Sequence, residues 1–256
     1  MKTPPRFVIG DDAIHGRGGR IVQVTGRELH HMRDVLRLPV GADIVLVCTA
    51  GGEYPGRIIG YGTDAAIVRI APALTQPATV LPRLILAAGI LKTARMNMLV
   101  EKAAELNAAE FWPLTCARSV VREPSSGRRE RWWRISLAAV KQSQRSATME
   151  VHDAVDVMTM LKQIPHAAFR IVCLRGGAPL ATVLQPLGDD LKAPPAIVLA
   201  VGPEGDFTDE EIAALRSAGF VAAALGQNRL RSETAALAAL SVTAAFLAAR
   251  QERKPG

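Results

Sequence analysis

The chain has 256 residues, 49% of them apolar and 21% charged, with a formal net charge of +7. That much apolar material suffices for one large domain or two smaller ones with real cores, and it excludes a mostly disordered chain. The charge is regional: residues 1–74 carry +2, residues 75–150 carry +6 and residues 151–256 carry −1, so the part suited to an anionic partner lies in the middle of the chain.

Residues 1–74 read as β-rich. β-Branched runs at 6–9, 20–24, 43–48, 57–59 and 65–70 are separated by turns at Gly18-Gly19, Pro39-Val40-Gly41 and Gly51-Gly52. One helix interrupts them. Thr25-Gly26-Arg27-Glu28 has the pattern of a capping box, and Leu29, Met32, Val35 and Leu36 make the apolar stripe behind it. Five short strands and one helix predict a small barrel. A linker with three prolines at 72–82 puts the domain boundary near residue 75. Beyond it come strand 84–91, helix 94–106, strand 110–114, helix 126–144, strand 168–174 and helix 179–186. Strand 196–201, helix 208–218, strand 221–225 and helix 232–249 complete the series. Strands alternating with helices predict an α/β domain with a parallel sheet covered on both faces.

Residues 118–145 hold eight basic groups, seven of them arginine, against Glu123 and Glu130. Arginine suits bidentate phosphate contact and base stacking, although a solvated helix face has the same composition. Trp132 and Trp133 lie in this helix about 100° apart, so one is expected to pack and the other to be exposed. Cys48, Cys116 and Cys173 are far apart and lack ligand spacing, which argues for buried thiols and against a disulfide framework or a metal site. Met1-Lys2-Thr3-Pro4-Pro5 has no apolar signal region, and the uncharged run 234–249 is shorter than the ~20 residues that span a bilayer. The expectation is a cytoplasmic protein without a membrane segment.

Two loops carry the chemistry. In the first, strand 196–201 runs into Gly202-Pro203-Glu204-Gly205, after which Thr208 and Glu211 form a capping box. Loops at the carboxyl ends of parallel strands line ligand crevices, and Gly202 and Gly205 would let a ligand approach the backbone. The acidity of 204–211 argues against a phosphate there, and no dinucleotide or P-loop glycine pattern occurs. The second loop is Leu225-Gly226-Gln227-Asn228-Arg229-Leu230-Arg231, with Ser232 placed to cap the last helix. A cation at Arg231, just before a helix N-terminus, is electrostatically awkward and points to an anionic ligand or a supporting role in the site.

In these motifs the chain closely resembles the ribosomal RNA small subunit methyltransferase E family. The residues that carry the resemblance are Gly202-Pro203-Glu204-Gly205 with Phe207 and Glu210-Glu211, Leu225-Gly226, and Leu230-Arg231 with Glu233-Thr234-Ala235-Ala236. Upstream, Arg95-Met96, Glu101-Lys102-Ala103, Pro113-Leu114, Arg118-Ser119-Val120, Gln142-Ser143 and Arg145 also match. In the small domain His31, Val35-Leu36-Arg37 and Gly51-Gly52-Glu53-Tyr54 match. Asp206 stands where the family has a second glycine, Gln227-Asn228 where it has Pro-Arg, and Gln144 where it has Gly.

The resemblance implies a PUA-like β-barrel over 1–74 that helps bind RNA. It also implies a SPOUT methyltransferase domain over 75–256, an α/β trefoil knot. The implied activity is S-adenosyl-L-methionine-dependent methylation of uridine N3 in 16S rRNA of the small ribosomal subunit, by a homodimer with no metal. The implied cofactor-binding residues are Leu174, Ala200, Gly202, Glu204, Gly205, Leu225, Gly226, Leu230 and Arg231, with Arg231 and Glu204 as catalytic candidates. Arg6, His31, Arg37, Arg95, Arg118, Arg128, Arg131 and Arg145 are the candidate RNA contacts. A non-catalytic RNA-binding assembly factor and a SPOUT enzyme acting on tRNA are the alternatives.

Overall fold

The computed structural model describes residues 4–15, 21–49, 51–72, 82–121, 127–143, 145, 147–187 and 195–252. The Gly18-Gly19 turn, most of the 72–82 linker, Arg122 and Gln144 lie outside the described residues. The chain divides into two units. One comprises residues 1–78 with 140–148, the other 79–139 with 149–256. A single cut near residue 75 therefore does not describe the division, because 140–148 returns to the first unit. Three contacts show why: Lys141 pairs with Glu28, Arg6 donates to the Arg145 carbonyl at 2.8 Å, and the Thr148 hydroxyl donates to the Thr49 carbonyl at 3.1 Å.

In the first unit β1 (Arg6–Ile9), β2 (Ile21–Thr25), β3 (Asp43–Cys48), β4 (Glu53–Tyr61) and β5 (Ala65–Ile70) form one curled sheet in the order β1-β3-β4-β5-β2. A four-residue helix, α1 (Asp12–His15), follows β1. Strand β2 shows the cause of the curl's single core: Val22 and Val24 are buried while Ile21, Gln23 and Thr25 face out, a strict period of two. Those valines meet Phe7, Met32, Leu46 and Ile58 in the interior.

The helix after β2 departs from expectation. It is α for Gly26–His30 (α2) and then a π-turn over His31–Val35. The capping box at its start does not form, since Thr25 belongs to the strand and its side chain caps nothing. Glu28 is drawn away instead, accepting the Val8 N–H at 3.3 Å and pairing with Lys141. Tertiary partners outcompete the local cap.

The second unit is built on six parallel strands in the order β11-β9-β10-β6-β7-β8. They are β6 (Arg83–Gly89), β7 (Ala108–Leu114), β8 (Glu150–Val151), β9 (Phe169–Pro179), β10 (Ala196–Val201) and β11 (Val221–Ala224). Every residue of β10 is buried, as expected of a strand covered on both faces. The helices are α3 (Thr93–Glu105), α4 (Arg128–Gln142), α5 (Val157–Gln163), α6 (Leu180–Leu184), α7 (Asp209–Ser217) and α8 (Ser232–Glu252). Sequence reasoning assigns nothing to β8 or α5, both of them short; α5 is started by the Asp156 carboxylate, which accepts the Thr159 N–H at 2.7 Å.

The strand order around β9 and β10 departs from the order in which the strands occur in the chain. From β10 the chain passes beyond β9 to lay down β11 at the sheet edge. It then turns back as α8 across β10 and β6, past α6. Strand β9 also runs five residues further than its apolar pattern suggests. It pairs with β11 at Ile171–Val172 and again at Ala178–Pro179, and residues 173–177 bulge between. Gly177 makes that possible, because a Cβ there would lie 2.7 Å from the Ala222 carbonyl carbon.

Candidate active site

The bulge within β9 meets the loops at the carboxyl ends of β10 and β11, the three strands being neighbours at one edge of the sheet. Between them lies a cleft of about 350 Å³, the size of a small-molecule site. The β9 bulge contributes Cys173, Leu174 and Arg175. The loop after β10 contributes Gly202, Pro203, Glu204 and Asp206, and the stretch after β11 contributes Leu225, Gly226, Asn228, Arg229, Leu230 and Arg231.

Of the expected cofactor-binding residues, Leu174, Gly202, Glu204, Leu225, Gly226, Leu230 and Arg231 line this cleft. Ala200 and Gly205 do not. Ala200 is fully buried in the core between β10 and the helices. Gly205 serves a different close approach from the one expected: a Cβ there would lie 2.7 Å from the Arg118 carbonyl oxygen. The glycine that needs its freedom toward the cleft is Gly226, at φ +128°. Cys173, Arg175, Asp206 and Arg229 are lining residues that sequence reasoning misses. The bulge in β9 is set by pairing with β11, a long-range contact with no local signal.

The loop after β10 is held from several sides. Its backbone turns with the Asp206 N–H on the Pro203 carbonyl at 2.9 Å. Asp206 sits at φ +64°, where a glycine would be unstrained, and its carboxylate accepts the Phe207 N–H at 2.8 Å. The Thr208–Glu211 capping box forms as read from the sequence, with Glu211 N–H to the Thr208 hydroxyl at 3.2 Å and Thr208 N–H to the Glu211 carboxylate at 2.8 Å. The other Glu211 oxygen accepts the Ala117 N–H at 2.9 Å, and Arg118 donates to the Phe207 carbonyl at 3.1 Å. The segment after β7 thus braces the loop. Gly89, at the end of β6, lets Pro203 cross close above it; a Cβ would lie 2.7 Å from Pro203 Cδ.

Arg95, on α3, sits between two carboxylates, with Nη1 3.4 Å from Glu204 Oε1 and Nε 3.6 Å from Glu233 Oε1. Glu204 Oε2 and Glu233 Oε2 are buried and have no hydrogen-bond partner among the described residues. Opposite in charge, Arg175, Arg229 and Arg231 all line the cleft and are exposed. Ser232 is the first residue of α8 rather than its cap; Arg231 precedes it and accepts the Ala235 N–H on its carbonyl at 2.8 Å. Burial pushes the Cys173 thiol up to about 12, so it lines the cleft as an un-ionised group.

The expected RNA contacts separate by environment. Arg6 and Arg145 are interior groups of the first unit. Arg6 pairs with Glu53 at 2.5 Å, with both side chains about one-tenth exposed, and burial lowers the Arg145 guanidinium to about 10. Neither is an exposed phosphate contact: Arg6 is taken up by Glu53, and the Arg145 guanidinium is largely buried. His31 is half-buried, its ring edge-on to Phe7 with centroids 5.8 Å apart, while Arg37 is exposed at φ +49°. Arg95 and Arg118 support the cleft as described. Arg128 and Arg131 make no ion pair among the described residues, whereas Arg129 donates to the Val151 carbonyl and Arg134 pairs with Glu130. As expected, Trp132 packs, at 3% exposure, and Trp133 is exposed at 41%.

Away from the cleft, Glu110, Glu150 and His152 bring ligand-type atoms within 4.8 Å of one another, a cluster without sequence spacing to reveal it. The Glu110 carboxylate there already accepts from Trp112 Nε1 at 3.0 Å, bonds His152 Nε2 at 2.9 Å and pairs with Arg83.

The fold and this cleft define a SPOUT-type α/β domain joined to a PUA-like unit, and comparison with known proteins agrees. Residues 79–244 match the RNA methyltransferase domain family and residues 24–71 the RNA methyltransferase PUA domain family. The ribosomal RNA small subunit methyltransferase E of Synechocystis is 30% identical over 233 residues, 88% of this chain and 73% of that protein. The Bacillus subtilis enzyme of the same name is 26% identical over 223 residues, 85% and 87%. The crystal structure of the Neisseria gonorrhoeae protein of that name, bound to S-adenosyl methionine, superposes with a TM-score of 0.77 over 94% of this chain and 97% of that one, at 26% identity. The chain belongs to the ribosomal RNA small subunit methyltransferase E family of RNA methyltransferases.

Proposed function

We propose that the protein transfers a methyl group from S-adenosyl-L-methionine to N3 of a uridine in 16S rRNA of the small ribosomal subunit. The observation that carries this reading is the cleft, whose lining brings Glu204 and Arg231 together in a chain of this family. The cleft fits the cofactor's chemistry. Glu204 and Asp206 suit its positive charges, Arg175, Arg229 and Arg231 offer partners for its carboxylate, and the backbone at 202–203 and 223–226 is open to its adenine.

When bound, S-adenosyl-L-methionine supplies an electrophilic methyl group on a positively charged sulfur. The chain's own residues position the nucleotide and manage charge. Uridine N3 must lose a proton before it can accept the methyl group. In this reading Glu204 takes that proton: its Oε2 has no hydrogen-bond partner among the described residues, while Arg95 lies 3.4 Å from its Oε1. Arg231 offers its guanidinium to the uracil oxygen on which negative charge develops.

The protein works as a homodimer. Along its outer face α8 leaves Thr234, Ser241, Val242, Ala245 and Ala249 exposed, without a charge, while its other face covers β10 and β6. The same helix is long and apolar enough to cross a membrane, yet its inner face is packed on the sheet, which favours a second copy over lipid. Its substrate places the protein in the cytoplasm.

Calorimetry with S-adenosyl-L-methionine tests the enzyme reading. Binding is expected for the wild type and, more weakly, for Glu204→Gln, with turnover at saturating cofactor lost about a hundredfold or more only in the variant. No binding at millimolar cofactor would leave an RNA-binding factor without catalysis.

A further inference from the structure

The first turns of α3 and α4 open on a second cavity of about 350 Å³, separate from the cleft. It is lined by Thr93 and Asn97 from α3, by Gly127 just before α4 and by Arg128, Arg131 and Arg134 from α4, with Trp132 beneath. Among the described residues none of its lining groups is a carboxylate.

Three features give it the chemistry of an anion site. First, Arg128 and Arg131 lie three residues apart on one helix face and make no ion pair among the described residues. Second, α3 has no acidic residue in its first turn, and Lys92, at its N-cap, makes no side-chain cap bond. The amide N–H groups of that turn and its positive dipole end are left to an external acceptor. Third, Asn97 Oδ1 is buried with no hydrogen-bond partner among the described residues. An acceptor without a partner calls for a donor from the ligand, which an ionised phosphodiester lacks and a ribose 2′-hydroxyl has.

We propose that this cavity binds a single ribonucleotide of the RNA strand, with its phosphate on Arg128, Arg131 and the first turn of α3 and its 2′-hydroxyl donating to Asn97. The inference rests on the methyltransferase reading and extends it. Arg95 reaches from the same turn of α3 to Glu204 in the cleft, so cavity and cleft adjoin across one helical turn. The nucleotide held in the cavity is a near neighbour of the one presented for methylation. Trp132 is too buried to offer a stacking face, which favours backbone over base recognition.

The test compares binding of a small-subunit RNA fragment, its DNA counterpart and S-adenosyl-L-methionine by the full chain and three variants. Arg128→Ala with Arg131→Ala is expected to weaken RNA binding about tenfold or more and to lower the log–log salt slope by about one. Asn97→Ala is expected to narrow the preference for RNA over DNA. Cofactor affinity stays unchanged in both, which also reports that they fold. Arg129→Ala, whose guanidinium is tied to the Val151 carbonyl, removes the same charge from the same helix and is expected to shift RNA binding less than about twofold. Equal losses in the double variant and in Arg129→Ala, or an unchanged salt slope in the double variant, would overturn the proposal in favour of diffuse attraction. RNA binding by the wild type without methyl transfer would contradict the proposed function, with the cavity still decided by the variants.

Discussion

Asp206 shows how a single residue can depart from a family's pattern at little cost. A residue with a Cβ in the left-handed region costs roughly 1–2 kcal/mol, and aspartate offsets part of that through a local hydrogen bond. Here the bond is to the Phe207 N–H, inside the turn that shapes the cleft. Asp206→Ala is therefore expected to lower stability by about 1 kcal/mol and to weaken cofactor binding, while Asp206→Gly keeps the turn and melts close to the wild type. Thermal melts and cofactor titration of the two variants check this; equal effects of alanine and glycine would remove the role given to the left-handed backbone. The motif residues Gly202, Glu204, Gly226 and Arg231 were legible because their chemistry is local to two loops. The partnership of Arg95 with Glu204 and Glu233 was not, because it joins α3 to residues more than a hundred positions away.

Among the elements, the short strand β8 depends on side chains more than on its two-residue ladder. His152, just after it, stacks on Trp112 with ring centroids 3.8 Å apart and bonds the Glu110 carboxylate on β7. Burial would raise the Glu110 carboxyl, but hydrogen bonds from His152 and Trp112 and the charges of Arg83 and His152 outweigh it and hold it below the ordinary carboxylate value. A carboxyl depressed on folding stabilises the fold above its unfolded value and loses that contribution as pH falls through its folded one. Glu110→Gln should thus be less stable than the wild type near neutrality, and the gap should close as the pH drops below about 4.5. Melting temperature against pH measures it, and a gap that stayed constant into acid would contradict the assignment. Long periodic elements such as α3, α4, β10 and α8 were readable to within a few residues. The capping box at Thr25 was not, since Glu28 is claimed by Val8 and Lys141, and no local pattern announces a partner 113 positions away.

At the scale of the whole molecule, the net charge of +7 resolves into distinct environments. Arg6 and Arg145 are interior, Arg118 braces the loop after β10, and Arg128 and Arg131 line the second cavity without an ion pair among the described residues. The path of the chain could not be inferred from periodicity, because it is a property of the order in which β9, β10, β11 and α8 are laid down. The exposed apolar face of α8 is a whole-molecule feature too. For the proposed homodimer, Val242→Glu is expected to lower the molar mass in solution from a dimer's to a monomer's without loss of helix content, read by light scattering and circular dichroism. A monomer's mass for the wild type, or a dimer's mass for the variant, would contradict the proposed contact. The central claim concerns the nucleoside made. Purified protein, S-adenosyl-L-methionine and small-subunit RNA lacking the modification should yield 3-methyluridine on nucleoside mass analysis. Methylation of a different nucleoside, or methyl transfer to tRNA but not to 16S rRNA, would contradict it.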